Sequence, residues 1–100
     1  MKKPEPDLLQ LREQAGMVSG ILKILANPDR LLILCHLAQQ ELHVSDIEAI
    51  TGISQPTLSQ QLSILRRATV VVTRREGKQI YYAIADQRLL ELMQTMYRLY

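Results

Sequence analysis

Along the first quarter of the chain, apolar residues fall three and four apart: Leu8, Leu11, Ala15, Val18, Leu22 and Leu25, with Ile21 and Ile24 widening the stripe. That is the spacing of one helix face, and it predicts a helix over Leu8–Ala26. Residues 1–7, with Pro4 and Pro6 among charges, read as a mobile tail ahead of it. The stretch DRLLILCHLAQQ is then apolar on nearly every side, through Leu31, Leu32, Ile33, Leu34, Cys35, Leu37 and Ala38, which marks a central, buried helix. Asn27 is placed to cap it, and Pro28 sits in its first turn, where a missing amide hydrogen does no harm.

Ser45 followed three residues later by Glu48 is a capping-box pattern, with Val44 as its hydrophobic staple. It predicts a short helix, Asp46 to Ile50, stopped by Gly52. Ser54 is then placed to cap a fourth helix, Gln55 to about Arg67, roughly 20 Å long. Leu58, Leu62 and Leu65 lie on its inward face with Ile64 at one edge, while Gln55, Thr57, Ser59, Gln60, Ser63 and Arg67 point the other way. After Ala68 the period changes. Val70–Thr73 and Gln79–Ile84 are rich in branched and aromatic residues and read as two strands, with RREGK between them and Gly77 in the left-handed position of the loop. Asp86 caps a last helix whose Leu89, Leu90, Leu92, Met93, Met96, Tyr97, Leu99 and Tyr100 form a broad apolar surface.

Two helices joined by a short Gly-containing turn, followed by a hairpin, make a mainly α winged helix-turn-helix of order α1-α2-α3-α4-β1-β2-α5. At 100 residues, residues 8–100 suffice for one domain. The first and last helices (8–26 and 86–100) carry more apolar surface than one copy can bury, so they are expected to pair two subunits through Leu8, Leu11, Ala15, Val18, Leu22, Leu89, Leu92, Met93, Met96, Tyr97 and Tyr100.

The composition sharpens this picture in a few places. Hydrophobic residues make up 47% of the chain with no Phe or Trp, so the core is aliphatic. The net charge of +2 says little, but its distribution says more. Met1–Ile53 carries five bases against seven acids, whereas Ser54–Ala83 carries Arg66, Arg67, Arg74, Arg75 and Lys78 against Glu76 alone. A positive field confined to the fourth helix and the hairpin is what a phosphate-facing surface requires. Gln55, Thr57, Ser59, Gln60 and Ser63 are accordingly expected at base edges of double-stranded operator DNA. Ser54, Arg66, Arg67, Arg74, Arg75 and Lys78 are expected at phosphates, with one arginine able to enter the minor groove. No apolar run approaches a membrane span and MKKPEPD lacks a secretory signal, so the reading is cytoplasmic. No Ser, His and acid constellation and no glycine-rich phosphate loop is present, so neither an enzyme nor a cofactor is expected. His36 and His43, isolated from each other, read as structural rather than as metal ligands, and the four tyrosines as packing residues.

LANPDRLLILCHL (25–37), ELHVSDIEAITGISQPTLSQQLSILRRA (41–68) and VVTRREGKQIYYAI (71–84) closely resemble the ArsR/SmtB family of repressors. The pattern is most similar to its thiol-based BigR, SqrR and HlyU group. The resemblance implies a dimeric repressor. Where metal-sensing members carry a Cys-x-Cys motif this chain has Leu42-His43-Val44-Ser45-Asp46, and its last helix has no His, which argues against a metal site. The family's usual glycine between recognition helix and wing is Thr69 here, which implies a differently shaped turn.

Sulfur-sensing relatives use two cysteines, and Cys35 matches the first. The second is expected at or just beyond Tyr100, with the sequence trimmed immediately before it. On that reading, reactive sulfur or an oxidant joins the pair and the operator is released. Taken from its residues alone, Cys35 reads first as a small core hydrophobe. Two further readings stand beside this one: a repressor or anti-silencing regulator answering another ligand, and a winged-helix protein-interaction module that does not bind DNA.

Overall fold

The computed structural model describes residues 7–100. The elements run α1 (Leu8–Leu25), α2 (Pro28–Leu37), β1 (Leu42–His43), α3 (Val44–Thr51), α4 (Thr57–Arg67), β2 (Val71–Glu76), β3 (Gln79–Ile84) and α5 (Gln87–Leu99). This is the mainly α fold with a β-hairpin wing that the pattern predicts, with one addition. A two-residue strand, β1, pairs Leu42 with Tyr82 and His43 with Tyr81, so the antiparallel sheet has three strands in the order β1-β3-β2. The mobile tail expected over residues 1–7 lies outside the described residues except for Asp7. That residue caps α1 in a full capping box with Gln10, its carboxylate accepting the Gln10 N–H at 2.7 Å.

Helix α2 is the hub. Ile33 and Leu34 are fully buried, and α2 packs against α1, α3, α4, α5 and β3. Ile47, Leu58, Leu65 and Met93 complete the fully enclosed centre. Asn27 caps α2 as expected, accepting the Arg30 N–H at 3.0 Å, with Pro28 in the first turn. No polar or charged residue is buried among the described residues, so this core is closed by shape and apolar area alone.

Two helix starts differ from expectation. Helix α3 begins at Val44, not Asp46, and its N-cap is His43, whose side chain makes no capping bond. Pairing with β3 holds Leu42 and His43 extended, and the chain turns helical directly afterwards. Ser45 therefore falls inside the first turn, and the expected capping box and Val44 staple do not form. Helix α4 begins at Thr57 after a turn in which Ser54 offers its carbonyl, not its hydroxyl, to Leu58 N–H at 3.0 Å. The helix is thus 11 residues, or about 16 Å, instead of the expected 20 Å.

Helix α1 stands apart from the rest. Every described residue from Asp7 to Gly20 is exposed, including Leu8, Leu9, Leu11, Met17 and Val18, and only Leu25 is buried. The Cα radius of gyration is 15.4 Å, against about 13 Å for a compact domain of this length. An 18-residue helix projecting with its leucines in water is the cause.

Candidate nucleic-acid interface

Helix α4 is a strongly two-sided element. Leu58, Leu62 and Leu65 are buried against α2 and the wing, and Ile64 is half-buried beside them. Thr57, Ser59, Gln60, Ser63, Arg66 and Arg67 are all exposed, together with Ser54 and Gln55 in the preceding turn. Gln55 substitutes for the expected serine cap: its carboxamide oxygen accepts the Ser59 backbone N–H at 3.1 Å and the Ser59 hydroxyl as well. Gln55 and Ser59 are therefore engaged with each other when the face is free, and must exchange that bond for any base contact.

Arg30, which carries no local sequence signal for the role, helps to hold α4 in place. The Arg30 guanidinium donates to the Ile24 carbonyl at 2.7 Å and to Gln61 Oε1 at 3.1 Å, joining the end of α1, the start of α2 and the inner edge of α4. It satisfies an orphan carbonyl at the α1 C-terminus while fixing the rotation of α4 about its axis. The pairing of Arg30 with Gln61 spans 31 positions, so no local motif signals it.

At its far end α4 closes in a Schellman motif. Thr69 N–H bonds the Arg66 carbonyl at 3.0 Å and Val70 N–H the Leu65 carbonyl at 3.2 Å. That motif needs a left-handed residue, and Thr69 supplies it with φ 59°. The expectation of a differently shaped turn is corrected: a β-branched residue occupies the conformation that suits glycine, at some strain. Beyond it the wing turns tightly, Glu76 pairing with Gln79 across Gly77 and Lys78, with Gly77 at φ 62°. Arg74, Arg75 and Glu76 are thereby strand residues and not part of the expected RREGK loop.

The basic side chains divide into two kinds. Arg66, Arg67, Arg75 and Lys78 are exposed and form no ion pair with another described residue. Arg74 differs: it donates to Glu41 at 2.6 and 2.8 Å and to Glu76 at 2.8 Å. Those hydrogen bonds hold the Glu41 carboxyl below its usual range and raise the Arg74 pKa further. Of the five cations in this part of the sequence, four are thus exposed and without an ion pair to another described residue.

Of the residues expected at a subunit interface, Leu8, Leu11, Ala15, Val18, Leu22, Leu92, Tyr97 and Tyr100 are exposed and Met96 is half-buried. Leu89 and Met93 are corrected: at 5% and 0% exposure they belong to this subunit's own core, which leaves Leu89 little surface and Met93 none to offer a partner.

The model of the arsR family of bacterial regulatory proteins matches residues 27–72. The biofilm growth-associated repressor of Agrobacterium fabrum is 45% identical over 96% of this chain and 82% of its own length. The chain belongs to the arsR family. The structure of the transcriptional repressor BigR from Xylella fastidiosa superposes with a TM-score of 0.86 at 37% identity, covering 95% of this chain and 97% of that one. A homodimeric winged helix-turn-helix DNA-binding domain from Mycobacterium bovis does so at 0.72 and 34% identity, over 99% and 89%.

Within this arsR-family frame the expected thiol mechanism does not hold. The sequence contains one cysteine, not a pair. Cys35 is half-buried on α2, beside a cavity that Leu31, Met96, Tyr97, Arg98 and Tyr100 also line. The side chains that α5 and Tyr100 present there are a thioether, two phenols and a guanidinium, so among the described residues no second thiol is placed to close a bridge. Burial pushes the Cys35 thiol up, away from the thiolate that sulfur chemistry needs. Among the described residues no three of His, Cys, Asp and Glu gather as metal ligands. His36 is half-buried in α2, while His43 lies 3.1 Å from Asp46. No described helix is long and apolar enough to cross a membrane.

Proposed function

We propose that this arsR-family chain is a homodimeric repressor that binds double-stranded operator DNA through α4 and the wing. The observation that carries it is the division of α4 into a leucine face sealed in the core and an exposed face of Gln, Ser, Thr and Arg. A helix of that build lies in a major groove with its polar side at base edges. Thr57, Gln60 and Ser63 are free to read bases directly, and Gln55 and Ser59 do so after parting from each other. Arg66, Arg67, Arg75, Lys78 and the Ser54 hydroxyl contact phosphates.

The projecting α1 and the outer side of α5 form the subunit contact, through Leu8, Leu11, Ala15, Val18, Leu22, Leu92, Met96, Tyr97 and Tyr100. Two copies then present two α4 helices to half-sites about 34 Å apart. The repressor names of the Agrobacterium and Xylella relatives support the direction of control, and the homodimeric mycobacterial domain supports the assembly. Release from DNA is assigned to a ligand or partner that acts without a sulfur bridge inside one subunit.

The test is fluorescence anisotropy on DNA from the chain's own promoter, across a salt series. Expected is saturable binding of two subunits per palindromic site, with log affinity falling linearly in log salt. Absence of salt-dependent binding to any such duplex would instead favour a winged-helix module that contacts protein.

A further inference from the structure

Arg74 is the one basic wing residue whose hydrogen-bonding face is already occupied. Its Nε and Nη2 grip both oxygens of Glu41, at 2.8 and 2.6 Å, and its Nη1 takes Glu76 at 2.8 Å. The guanidinium carbon lies over the Tyr81 ring, 4.4 Å from its centroid. Tyr81 is the cross-strand partner of Arg74 on one side and of His43 on the other. The His43 ring meets Tyr81 edge-on at 5.5 Å, and its Nε2 lies 3.1 Å from Asp46 in the first turn of α3. Arg74, Tyr81 and His43 thus form one row across all three strands, running from the wing to the front of the helix-turn-helix.

We infer that Arg74 is a positioning residue for DNA binding and not a phosphate contact: with Glu41 and Tyr81 it fixes the angle of the wing to the helix-turn-helix. The inference rests on the DNA-binding reading and refines it. Two carboxylates surround one guanidinium, so a phosphate approaching Arg74 meets net negative charge. Its neighbour Arg75 points to the opposite face of the strand, exposed and without an ion pair to another described residue. The bidentate fork and the ring beneath it specify an orientation, which a lysine would not reproduce. The angle matters because Arg75 and Lys78 reach phosphates only if the hairpin projects correctly while α4 sits in its groove.

Four variants of the full chain separate the roles by anisotropy on promoter DNA across a salt series. Arg75→Ala removes a phosphate contact from each subunit, so the slope of log affinity against log salt falls by about 1.8 per dimer. Arg74→Gln and Glu41→Gln are each expected to weaken binding about threefold or more at every salt concentration while leaving the slope at the wild-type value. Combining them should weaken binding no further than Arg74→Gln alone, because both break one contact. Unchanged circular dichroism shows that the variants are folded, and Glu41→Gln keeps the side-chain volume if Arg74→Gln fails to fold. A slope change in Arg74→Gln matching that of Arg75→Ala, or tighter binding by Glu41→Gln as Arg74 is released, would overturn the inference alone. Wild-type protein that binds no duplex would bring down the DNA-binding reading, and the inference with it.

Discussion

Helices α4 and α5 share a plan on the inside and differ on the outside. Each anchors itself by fully buried side chains, Leu58 and Leu65 in one and Met93 in the other, against the same core. Outward, α4 shows Gln60, Ser63 and Arg67, whereas α5 shows Leu92, Tyr97, Leu99 and Tyr100. The buried anchors set where each helix lies, and the outward residues set what each helix meets. Water tolerates the first face and disfavours the second, so the two helices are suited to different partners: a charged polymer for α4 and a second apolar surface for α5.

The inner similarity predicts the largest effects. Leu58→Ala and Met93→Ala should each destabilise the fold by about 3 kcal/mol, read by urea unfolding, because both leave a void in a fully enclosed site. If Met93→Ala costs under about 1 kcal/mol while Leu58→Ala does not, the shared inner plan fails.

The outer difference comes next, and a pair of variants sharpens it. Leu92→Glu with Tyr97→Glu should weaken self-association on the order of a hundredfold, seen as monomer in sedimentation velocity, with near-normal helix content. Gln60→Ala should leave the dimer intact and weaken operator binding about tenfold or more, since one lost base contact in each half-site is involved. Interchanged outcomes, with Gln60 governing assembly or Leu92 and Tyr97 governing only DNA affinity, would reverse the assignment of the two faces.

The same contrast shows what a linear reading can reach. The period of α4, its leucines on one side and hydroxyls and amides on the other, is a local property and is plain in the sequence. The row of apolar residues in α5 is equally plain, but it runs so far round the helix that Leu89 and Met93 look no different from Leu92 and Tyr97. Only the packing of α2 and β3 beneath the helix separates them. Helix starts fail for a related reason. Ser45 and Ser54 carry the right chemistry for caps, yet the pairing of His43 with Tyr81, 38 positions away, and the turn at Gln55 decide where the helices begin. Nothing local to Arg74 signals its bond to Glu41, 33 positions earlier, on which its proposed positioning role rests. The thiol pair came by likeness to relatives alone, and the residues present do not supply it.

A smaller effect lies at the end of α4, where the chain leaves the recognition helix for the wing. Thr69 holds φ 59° so that Val70 N–H can reach the Leu65 carbonyl. Glycine adopts that conformation without the Cβ clash, so Thr69→Gly should stabilise the fold by about 1 kcal/mol, less what its freer unfolded chain takes back. For a domain of this size the full ~1 kcal/mol would raise Tm by about 4–8 °C, and the net rise, measured by thermal melting, is a smaller positive shift. A loss of stability would mean that the Thr69 hydroxyl, which donates to the Ala68 carbonyl at 2.7 Å, and the unfolded-chain entropy of glycine together outweigh the strain.

The smallest expected effect is at Cys35, and it bears on the inner side of the comparison. The thiol is half-buried among Leu31, Met96 and Tyr97, and desolvation disfavours its charged form. A raised pKa means that the thiolate is scarce at neutral pH and accumulates only as pH climbs past the ordinary cysteine range. Iodoacetamide should therefore alkylate Cys35 more slowly than free cysteine at pH 7.5, with the rate still rising where free cysteine has levelled off. Cys35→Ala should bind operator within about twofold of wild type, because a small hydrophobe replaces a small hydrophobe. Rapid alkylation at pH 7.5 would show a thiolate that the packing does not explain. Loss of DNA binding in Cys35→Ala with stability unchanged would place the residue in control of α4 and not merely among the side chains that support α5.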